Sequence, residues 1–395
     1  MPTSAGPNIS GEENLVFGFD LKDQENSYLG EPSTNLATDS PSMGGWPGSF
    51  TVVDSATKTF DFTTSSIEWG GDASWTTFYY DVTEYTGQYI SISATYEVAY
   101  ETNGKFSFLM IGQTIAGQTY LGYSAEPDRN SKNTKTREKI SWSGVIGDGG
   151  KVGIMIWMNN GSGGPSGNLT VRFSNVQVER KSHSTPFVNG TRSSTQGLLD
   201  LSNNSTINIS GVSFNNDAQI TFDGTNDIIS IPSNSVFNTN IFSVESVFKL
   251  STYDNQHRTI AARNASVYSH TNGWWMGTLR NGLGNNNNDF RVFFWGDSSY
   301  VVYNTSSGGN DGRYHHMVIS CDGVTVFFYV DGQLSYSTSK PSGNLYSSSE
   351  NILIGQSPVG DNWSGDIPMV KFYNRSLSSS EVLNNYNNIK RKYGI

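Results

Sequence analysis

Alternating apolar and polar residues run through most of this chain and predict many short β-strands. In residues 89–101, Ile90, Ile92 and Ala94 begin an apolar face that continues to Tyr100, while Ser, Thr and Glu occupy the other face. Further strands are predicted at 57–62, 75–82, 105–111, 138–145, 152–158 and 168–179. About seven or eight strands of this length predict a jelly roll.

The last of these strands contains a change of phase. Its apolar residues move from Leu169, Val171 and Phe173 to Val176 and Val178. Because side chains in a strand alternate with a period of two, this change predicts a β-bulge near residue 175.

A second set of strands lies at the two ends of the chain. Residues 14–20 form one apolar strand after a polar leader, and Phe242, Val244 and Phe248 share one face of another. Asp322-Gly323 and Asp331-Gly332 supply the turn residues of a hairpin at 324–334. Further strands are predicted around 220–229, 314–319, 352–355 and 367–372, followed by turn residues at 374–380 and a short helix at 382–386.

Composition agrees with an all-β protein. The 395 residues include 42 Gly, 21 Phe, 20 Tyr and 9 Trp, and only 15% of residues are charged. Aromatic residues favour strands and glycine favours turns, and the length is sufficient for two or three domains that each bury a core.

Charge excludes nucleic acid as a partner. The formal net charge is −10, and the densest basic run, 129–139, is interrupted by polar residues and Glu138. A protein that neutralises phosphates needs a basic face, so we expect no binding to DNA or RNA.

The compartment is inferred from cysteine and from the N-terminus. Cys321 is the only cysteine, and residues 1–7 contain neither a basic nor an apolar segment. No apolar run approaches the roughly 20 residues of a membrane-spanning helix. We therefore expect synthesis in a cytoplasm, without a secretory route, an intrachain disulfide or membrane insertion.

Three motifs resemble a known family. Residues 365–382, GDIPMVKFYNRSLSSSEV, are similar to the end of a laminin-G-like domain of the concanavalin A-like lectin and glucanase superfamily, with Pro368 and Ser376 as departures. Residues 14–20 resemble the family's opening strand, with Asn14 in place of Gly. Residues 222–229 resemble its F-D-G-x-x-D-Y-I phrase, with Ile228 in place of Tyr.

The spacing of the motifs predicts a discontinuous domain. In the resembling proteins a D-L-S-G-N turn soon follows the opening strand, whereas its nearest equivalent here is 199–203. Residues 173–187 and the phrases at 30–36 and 189–193 resemble an inserted carbohydrate-binding-module-like jelly roll in structural proteins of tailed bacteriophages. We therefore expect a leader and first strand at 1–30, an inserted jelly roll at 31–185, a linker at 186–196 and a lectin-like sandwich at 197–395.

The superfamily includes glycoside hydrolases, but the residues favour a non-enzymatic protein. Retaining hydrolysis needs two carboxylates about 5 Å apart, and the glucanase motif E-x-D-x-x-E is absent. Glu245 has Val247 and Lys249 as its neighbours on the same face, which predicts an exposed glutamate. His315 and His316 are adjacent on a strand and should point to opposite faces. We expect no catalytic residues, and hydrolysis stays a minor alternative.

No metal ligand or cofactor is predicted, although calcium is considered. Laminin-G-like domains often bind Ca²⁺ at the sandwich rim, and Asp223, Asp227, Asp289 and Asp311 lie near predicted turns. The alternative is that Asp223 and Asp227 shape a turn by accepting hydrogen bonds from local backbone amides.

Sugar binding would use exposed aromatic rings. The candidate glycan-binding residues are Trp46 and Trp69, in loops of the inserted jelly roll, and Trp274, which begins a strand. Core packing or a subunit interface is the alternative for each tryptophan. Because neighbours alternate, only one of Trp274 and Trp275 should be buried.

The resemblance implies a virion surface protein: a capsid decoration protein, head fibre or tail-associated adhesion protein. Its implied partners are major capsid or tail proteins, further copies of itself in a trimer, and host cell-surface polysaccharide. A free bacterial lectin or accessory module is the alternative.

Overall fold

The structure is a computed structural model. It describes residues 14–23, 26–45, 48–65, 74–102, 106–114, 130–132, 136–158, 167–214, 219–251, 256–264, 272–278, 289–308, 311–347 and 349–395. The chain divides into two compact units. The first unit comprises Met1–Gly30 and Ser194–Ile395, and the inserted unit comprises Glu31–Ser193.

The strands are short and fill both units. They are β1 Leu15–Asp20, β2 Ser33–Thr34, β3 Ser42–Gly45, β4 Gly48–Asp54, β5 Thr59–Ser65, β6 Ser74–Asp81, β7 Tyr89–Glu101, β8 Phe106–Gln113, β9 Asn130–Lys132, β10 Glu138–Val145, β11 Lys151–Met158, β12 Asn168–Glu179, β13 Thr191–Arg192, β14 Asn208–Ser210, β15 Ser213–Phe214, β16 Ile220–Asp223, β17 Ile228–Ile231, β18 Ile241–Leu250, β19 Arg258–Arg263, β20 Gly273–Thr278, β21 Asp289–Trp295, β22 Tyr300–Gly308, β23 His315–Asp322, β24 Thr325–Val330, β25 Gln333–Ser339, β26 Ile352–Ile354 and β27 Ser364–Tyr373. Short 3-10 turns lie at Thr83–Tyr85 and Ser235–Phe237, and the helix α1 spans Ser379–Tyr393. The predicted all-β fold is confirmed.

The first unit is a sandwich of two antiparallel sheets. One has eight strands in the order β15-β16-β27-β18-β23-β24-β25, with β1 also paired to β27, and the other has seven in the order β14-β17-β26-β19-β20-β21-β22. Their facing side chains form one apolar core that includes Phe17, Phe19, Trp274 and Phe372. Alternation along each strand leaves the opposite faces to point outward.

The N-terminal strand belongs to the first unit through specific contacts. The N–H of Gly18 donates to Asp200 Oδ1 at 2.9 Å, and the N–H of Leu201 donates to the carbonyl of Gly18 at 2.8 Å. Tyr28 and Leu198 form an antiparallel bridge. The residues before and after the insertion are therefore hydrogen-bonded to each other, as the displaced turn at 199–203 predicts.

Pro368 lies at an irregular point of β27. Along one side of β27, pairing with β16 stops at Asp366 and pairing with β1 starts at Met369. On the other side, the register with β18 shifts between Val247 and Lys249. Proline lacks a backbone donor, so this break in the pairing accommodates it.

The inserted unit has two five-stranded antiparallel sheets, β10-β7-β12-β5-β4 and β3-β6-β11-β8-β9. Side chains from both sheets fill one core, with Phe78, Ile154 and Phe173 among its buried residues. The predicted bulge in β12 is confirmed, because its register with β7 shifts between Ser174 and Gln177 and Asn175 has a φ of 55°.

Residues 186–193 lie in the inserted unit, whereas the sequence predicted a linker at 186–196. The short strand β13 pairs with β2, which joins the two ends of the insert. Arg192 donates to the carbonyls of Glu31, Pro186 and Phe187. Asn35 donates to the carbonyls of Val176 and Val188. These contacts fix a segment whose polar sequence is typical of a linker.

The helix α1 is longer than the predicted 382–386. Ser378 and Glu381 form a capping box at its start, and Gly394, with a φ of 72°, ends it. Val382, Ile389 and Tyr393 are buried on the outer face of the eight-stranded sheet. The helix therefore covers that face.

Candidate functional site

The structure corrects one of the predicted glycan-binding residues and leaves two outside the described residues. Trp46 and Trp69 fall among the residues that the structure does not describe. Trp274 is 1% exposed and packs in the core beside Phe242 and Phe372, so its ring is unavailable to a glycan. Trp275 is also buried, which contradicts the expectation that only one of the pair would be.

The outer face of the seven-stranded sheet carries a line of aromatic side chains, which we call the aromatic row. It consists of Trp275, Phe293, Trp295 and Tyr300, from β20, β21 and β22. Neighbouring ring centroids lie 5.7 Å apart for Trp275 and Phe293, 5.9 Å for Phe293 and Trp295, and 4.3 Å for Trp295 and Tyr300. The register places Trp275 opposite Phe293 and Trp295 opposite Tyr300, so strand pairing builds the row.

The aromatic row is buried at one end and exposed at the other. Trp275 is fully buried, and its Nε1 donates to Thr259 Oγ1 at 2.8 Å. Phe293 and Trp295 are nearly buried, whereas Tyr300 is 57% exposed. The Tyr300 ring is thus an outward platform supported by the Trp295 ring beneath it. Such a ring can stack on the apolar face of a sugar.

Arg291 lies on the same face, two residues before Phe293 on β21. Its guanidinium stacks over the Phe293 ring, 4.5 Å from the centroid. The register places it between Gly277 of β20 and Asn304 of β22. Burial lowers the pKa of Arg291, because desolvation disfavours the charged form. This face therefore combines a partly desolvated cation with aromatic rings.

The inserted unit has a smaller aromatic pair on an outer sheet face. Phe108 of β8 and Trp157 of β11 are register partners, with ring centroids 5.6 Å apart and an interplanar angle of 10°. Both are half-buried and pack beside Met110 and Met155. The pair is smaller than the aromatic row and has no exposed ring comparable to Tyr300.

Glu245 is buried, which contradicts the predicted exposed glutamate. Its Oε1 lies 2.8 Å from His316 Nε2, and its Oε2 accepts hydrogen bonds from Tyr373 at 3.0 Å and from Asn385 at 3.3 Å. The reason for the burial is α1, which carries Asn385 and covers this face. Both carboxylate oxygens are engaged, so Glu245 serves the packing of the helix.

His315 and His316 point to opposite faces, as predicted. His316 stacks on Tyr386 of α1, whereas His315 packs against Phe248 and Phe290. His315 Nδ1 lies 3.0 Å from Asp331 and its Nε2 lies 3.1 Å from Asp311. Although burial lowers the pKa of His315, these two carboxylates outweigh that effect and raise it. The His315 ring is therefore held between the carboxylates of Asp311 and Asp331.

Three of the four aspartates considered for calcium, Asp223, Asp227 and Asp311, form local hydrogen bonds. Asp227 Oδ2 accepts the N–H of Asp223 at 2.7 Å, and Asp223 Oδ1 accepts the N–H of Thr225 at 2.7 Å. Asp311 accepts the N–H of Arg313. Within the described ranges, no three His, Cys, Asp or Glu side chains converge on a metal position. The hydrogen bonds agree with the turn-shaping alternative for Asp223 and Asp227.

Sequence reasoning missed the aromatic row because it did not predict strand β21. The signal was present, since Arg291, Phe293 and Trp295 alternate with Val292 and Phe294. Apart from Arg291, both sets are apolar or aromatic, so alternation alone does not distinguish the core face from the outer face.

Comparison with known families identifies part of the first unit. Residues 223–383 match the model of a family described as the concanavalin A-like lectin/glucanases superfamily. The matched segment extends from the end of β16 into α1 and includes every residue of the aromatic row. The first unit thus has a lectin-like fold over this segment.

Comparison with solved structures finds matches to an arabinanase domain and to neurotoxin binding domains. Domain 4 of AbnA, a GH43 extracellular arabinanase from Geobacillus stearothermophilus, in complex with arabinotriose, is 17% identical, with 47% of this chain and 90% of that chain covered and a TM-score of 0.38. The binding domain of botulinum neurotoxin serotype D is 17% identical, with 49% of each chain covered and a TM-score of 0.38. The binding domain of botulinum neurotoxin DC in complex with SialylT is 14% identical, with 49% of this chain and 48% of that chain covered and a TM-score of 0.39. The alignment spans about half the length of these neurotoxin domains.

Comparison with curated proteins finds no match.

Among the described residues, none of the helices has the length and apolar character needed to span a membrane.

Proposed function

We propose that this chain is a non-enzymatic structural protein of a tailed-phage virion, acting as a capsid decoration protein, head fibre or tail-associated adhesion protein. Two observations support the proposal. Residues 223–383 match a lectin-like family, and the chain divides into a discontinuous first unit and an inserted β-sandwich unit. The protein is made in the host cytoplasm and acts at the virion surface. It needs no cofactor for this role.

The proposed mechanism is contact with host-surface polysaccharide through the aromatic row. The observation that carries it is the exposed Tyr300 ring, which packs against the Trp295 ring with centroids 4.3 Å apart and an interplanar angle of 39°. A supported ring loses little conformational entropy when a sugar stacks on it, and an exposed aromatic ring is a suitable platform for a pyranose face. A separate surface of the protein docks to major capsid or tail proteins.

Affinity at each site is weak, because the platform offers one exposed ring. Many copies on one particle then provide useful attachment, since linkage raises avidity by about 10² to 10⁴ without new contacts. We propose a symmetric trimer on the particle, which joins identical chains without open-ended assembly. Isolated, non-touching copies in a reconstructed virion would refute the trimer.

A glycan panel tests the contact mechanism. Wild-type protein, Tyr300→Ala and the matched control Tyr89→Ala are displayed at equal density on beads. Tyr89 is 55% exposed and lies in the inserted unit, so it matches Tyr300 in exposure but not in location. We expect Tyr300→Ala to lose glycan binding and Tyr89→Ala to keep it. Equal binding by all three proteins would show that the aromatic row is not the glycan-binding site.

The virion assignment needs a separate test. We expect the chain to be detected by mass spectrometry in purified particles, at a constant number of copies for each particle. A free bacterial lectin or accessory module is the alternative, and it would be found in culture fluid without particles. That outcome would reject the virion role while leaving glycan contact intact.

A further inference from the structure

Arg291 carries a charge that no described side chain neutralises. Its guanidinium contacts the face of Phe293, and its buried Nε has no hydrogen-bond partner. Within the described part of the chain it forms no ion pair. Arg263 provides a contrast, because its guanidinium donates to the Phe237 carbonyl, Asn238 Oδ1 and the Ser347 carbonyl.

An unpaired cation of this kind is unfavourable in the free protein. A partly buried charge loses hydration free energy, and a partner charge or hydrogen-bond acceptors are needed to compensate for that loss. Stacking on Phe293 offsets part of it. The remaining donors of Arg291 are available to an anion, and a guanidinium offers a planar fork that matches a carboxylate.

The position of Arg291 relative to the aromatic row defines the size of the ligand. Arg291 and Trp295 are four residues apart on β21, about 13 Å along the strand. Trp295 supports the exposed Tyr300, and Phe293 lies between the two ends. A ligand that contacts both ends must therefore extend over several sugar units, with an anionic group at one end and an apolar ring face at the other.

We propose that the aromatic row binds an acidic polysaccharide, with a sugar carboxylate paired to Arg291 and a pyranose face stacked on Tyr300. This inference rests on the proposed glycan contact and specifies its ligand class. Carboxylate is preferred to a point-like anion because the guanidinium is fixed by its stacking on Phe293, which favours a planar, bidentate partner.

The test uses the intact chain and, at its centre, a pair of polymers that share a backbone and differ in charge. Polygalacturonate is compared with its methyl ester, which keeps the backbone but removes the negative charge. Alginate and polysialic acid extend the acidic panel, and a sulfated glycan and a phosphate-bearing glycan provide other anions. The proteins are the wild type, Arg291→Gln, Arg291→Lys, Tyr300→Ala and the control Tyr89→Ala, each measured at low and high salt.

The wild type is expected to bind at least one carboxylate polymer and to bind methyl-esterified polygalacturonate at least about tenfold more weakly than the acid form. Arg291→Gln should lose about tenfold or more in affinity for the acidic polymer and most of its salt dependence, whereas Arg291→Lys should keep the salt dependence with reduced affinity. Tyr300→Ala should weaken binding at any salt concentration.

Three outcomes would overturn the inference. The first is equal binding to acidic and esterified polymer with no effect of Arg291→Gln, which leaves the proposed glycan contact intact if Tyr300→Ala still weakens binding. The second is a preference for sulfate or phosphate over carboxylate. The third is binding to none of the acidic polymers, and if neutral glycans also fail to bind, the proposed glycan contact fails with it. Thermal melting of Arg291→Gln separates folding from binding, because a residue without polar partners should not lower the melting temperature when replaced.

Discussion

The two outer faces of the first unit differ in whether their charged side chains have polar partners. Beneath α1, the buried Glu245 is paired with His316, Tyr373 and Asn385. On the outer face of the seven-stranded sheet, Arg291 stacks on an aromatic ring and has no polar partner among the described residues. The first arrangement stabilises a helix on a sheet, whereas the second leaves donors available. Pairing of both Glu245 oxygens agrees with a structural role, and the unpaired cation beside aromatic rings is the basis of the proposed binding role.

The same comparison explains why the sequence predicted one face better than the other. Phe242, Val244 and Phe248 could be assigned to the core because apolar residues alternate in β18 with serine and glutamate. The burial of Glu245 could not, because it depends on α1 packing against this face through Asn385, which the pattern of β18 does not reveal. Alternation identifies two faces of a strand but does not reveal what covers each of them.

Among the changes that test this comparison, removal of α1 should have the largest effect on folding stability. Deleting residues 379–395 uncovers the paired face and removes the buried side chains of Val382, Ile389 and Tyr393. Loss of several buried apolar groups at about 2 to 5 kcal/mol each exceeds the stability of a typical domain, so the first unit should fail to fold. Limited proteolysis and circular dichroism measure this. A truncated chain that melts like the intact protein would show that α1 does not stabilise the eight-stranded sheet.

Replacement of Glu245 should have the next largest effect. Glu245→Ala leaves His316, Tyr373 and Asn385 without their acceptor, and we expect a loss of about 3 to 5 kcal/mol in the free energy of unfolding. Glu245→Gln keeps the shape and serves as the matched control, with a smaller loss. Urea denaturation measures both. A change below about 0.5 kcal/mol for Glu245→Ala would contradict the structural role.

Stability should depend on pH through the same carboxylate. Burial alone would raise the pKa of Glu245, but the hydrogen bond and charge of His316, with smaller contributions from Lys371 and Tyr373, outweigh it and hold the pKa below its ordinary value of 4.5. A lowered pKa in the folded state contributes stability above the unfolded value, and that stability is lost as the pH falls through the folded value. Wild-type stability should therefore fall below pH 4.5 more steeply than that of Glu245→Gln. Parallel pH profiles for the two proteins would argue against this linkage.

Replacement of Arg291 should have the smallest effect on folding. Arg291→Gln removes an unpaired cation, so we expect the free energy of unfolding to stay within about 0.5 kcal/mol of wild type or to rise slightly. Urea denaturation at low salt measures the difference. A loss comparable to that of Glu245→Ala would mean that Arg291 has a structural partner and would remove the contrast between the two faces.

Other parts of the fold illustrate what the sequence can predict. The bulge in β12 followed from a visible change of phase, and the discontinuous first unit followed from a turn motif found far downstream of its strand. The aromatic row did not, because Phe293 and Trp295 alternate with equally apolar neighbours. Residue type and position make Trp274 a candidate glycan contact, but its side chain is buried in the core.

The central claim is that the outer face of the seven-stranded sheet binds glycan and the face beneath α1 does not. The most direct measurement is binding of the wild type, Tyr300→Ala, Tyr89→Ala and folded Glu245→Gln to the same immobilised glycan panel. We predict that Tyr300→Ala alone loses binding, while Tyr89→Ala and Glu245→Gln bind like the wild type. Retained binding by Tyr300→Ala would contradict the claim, and so would loss of binding by Tyr89→Ala or folded Glu245→Gln.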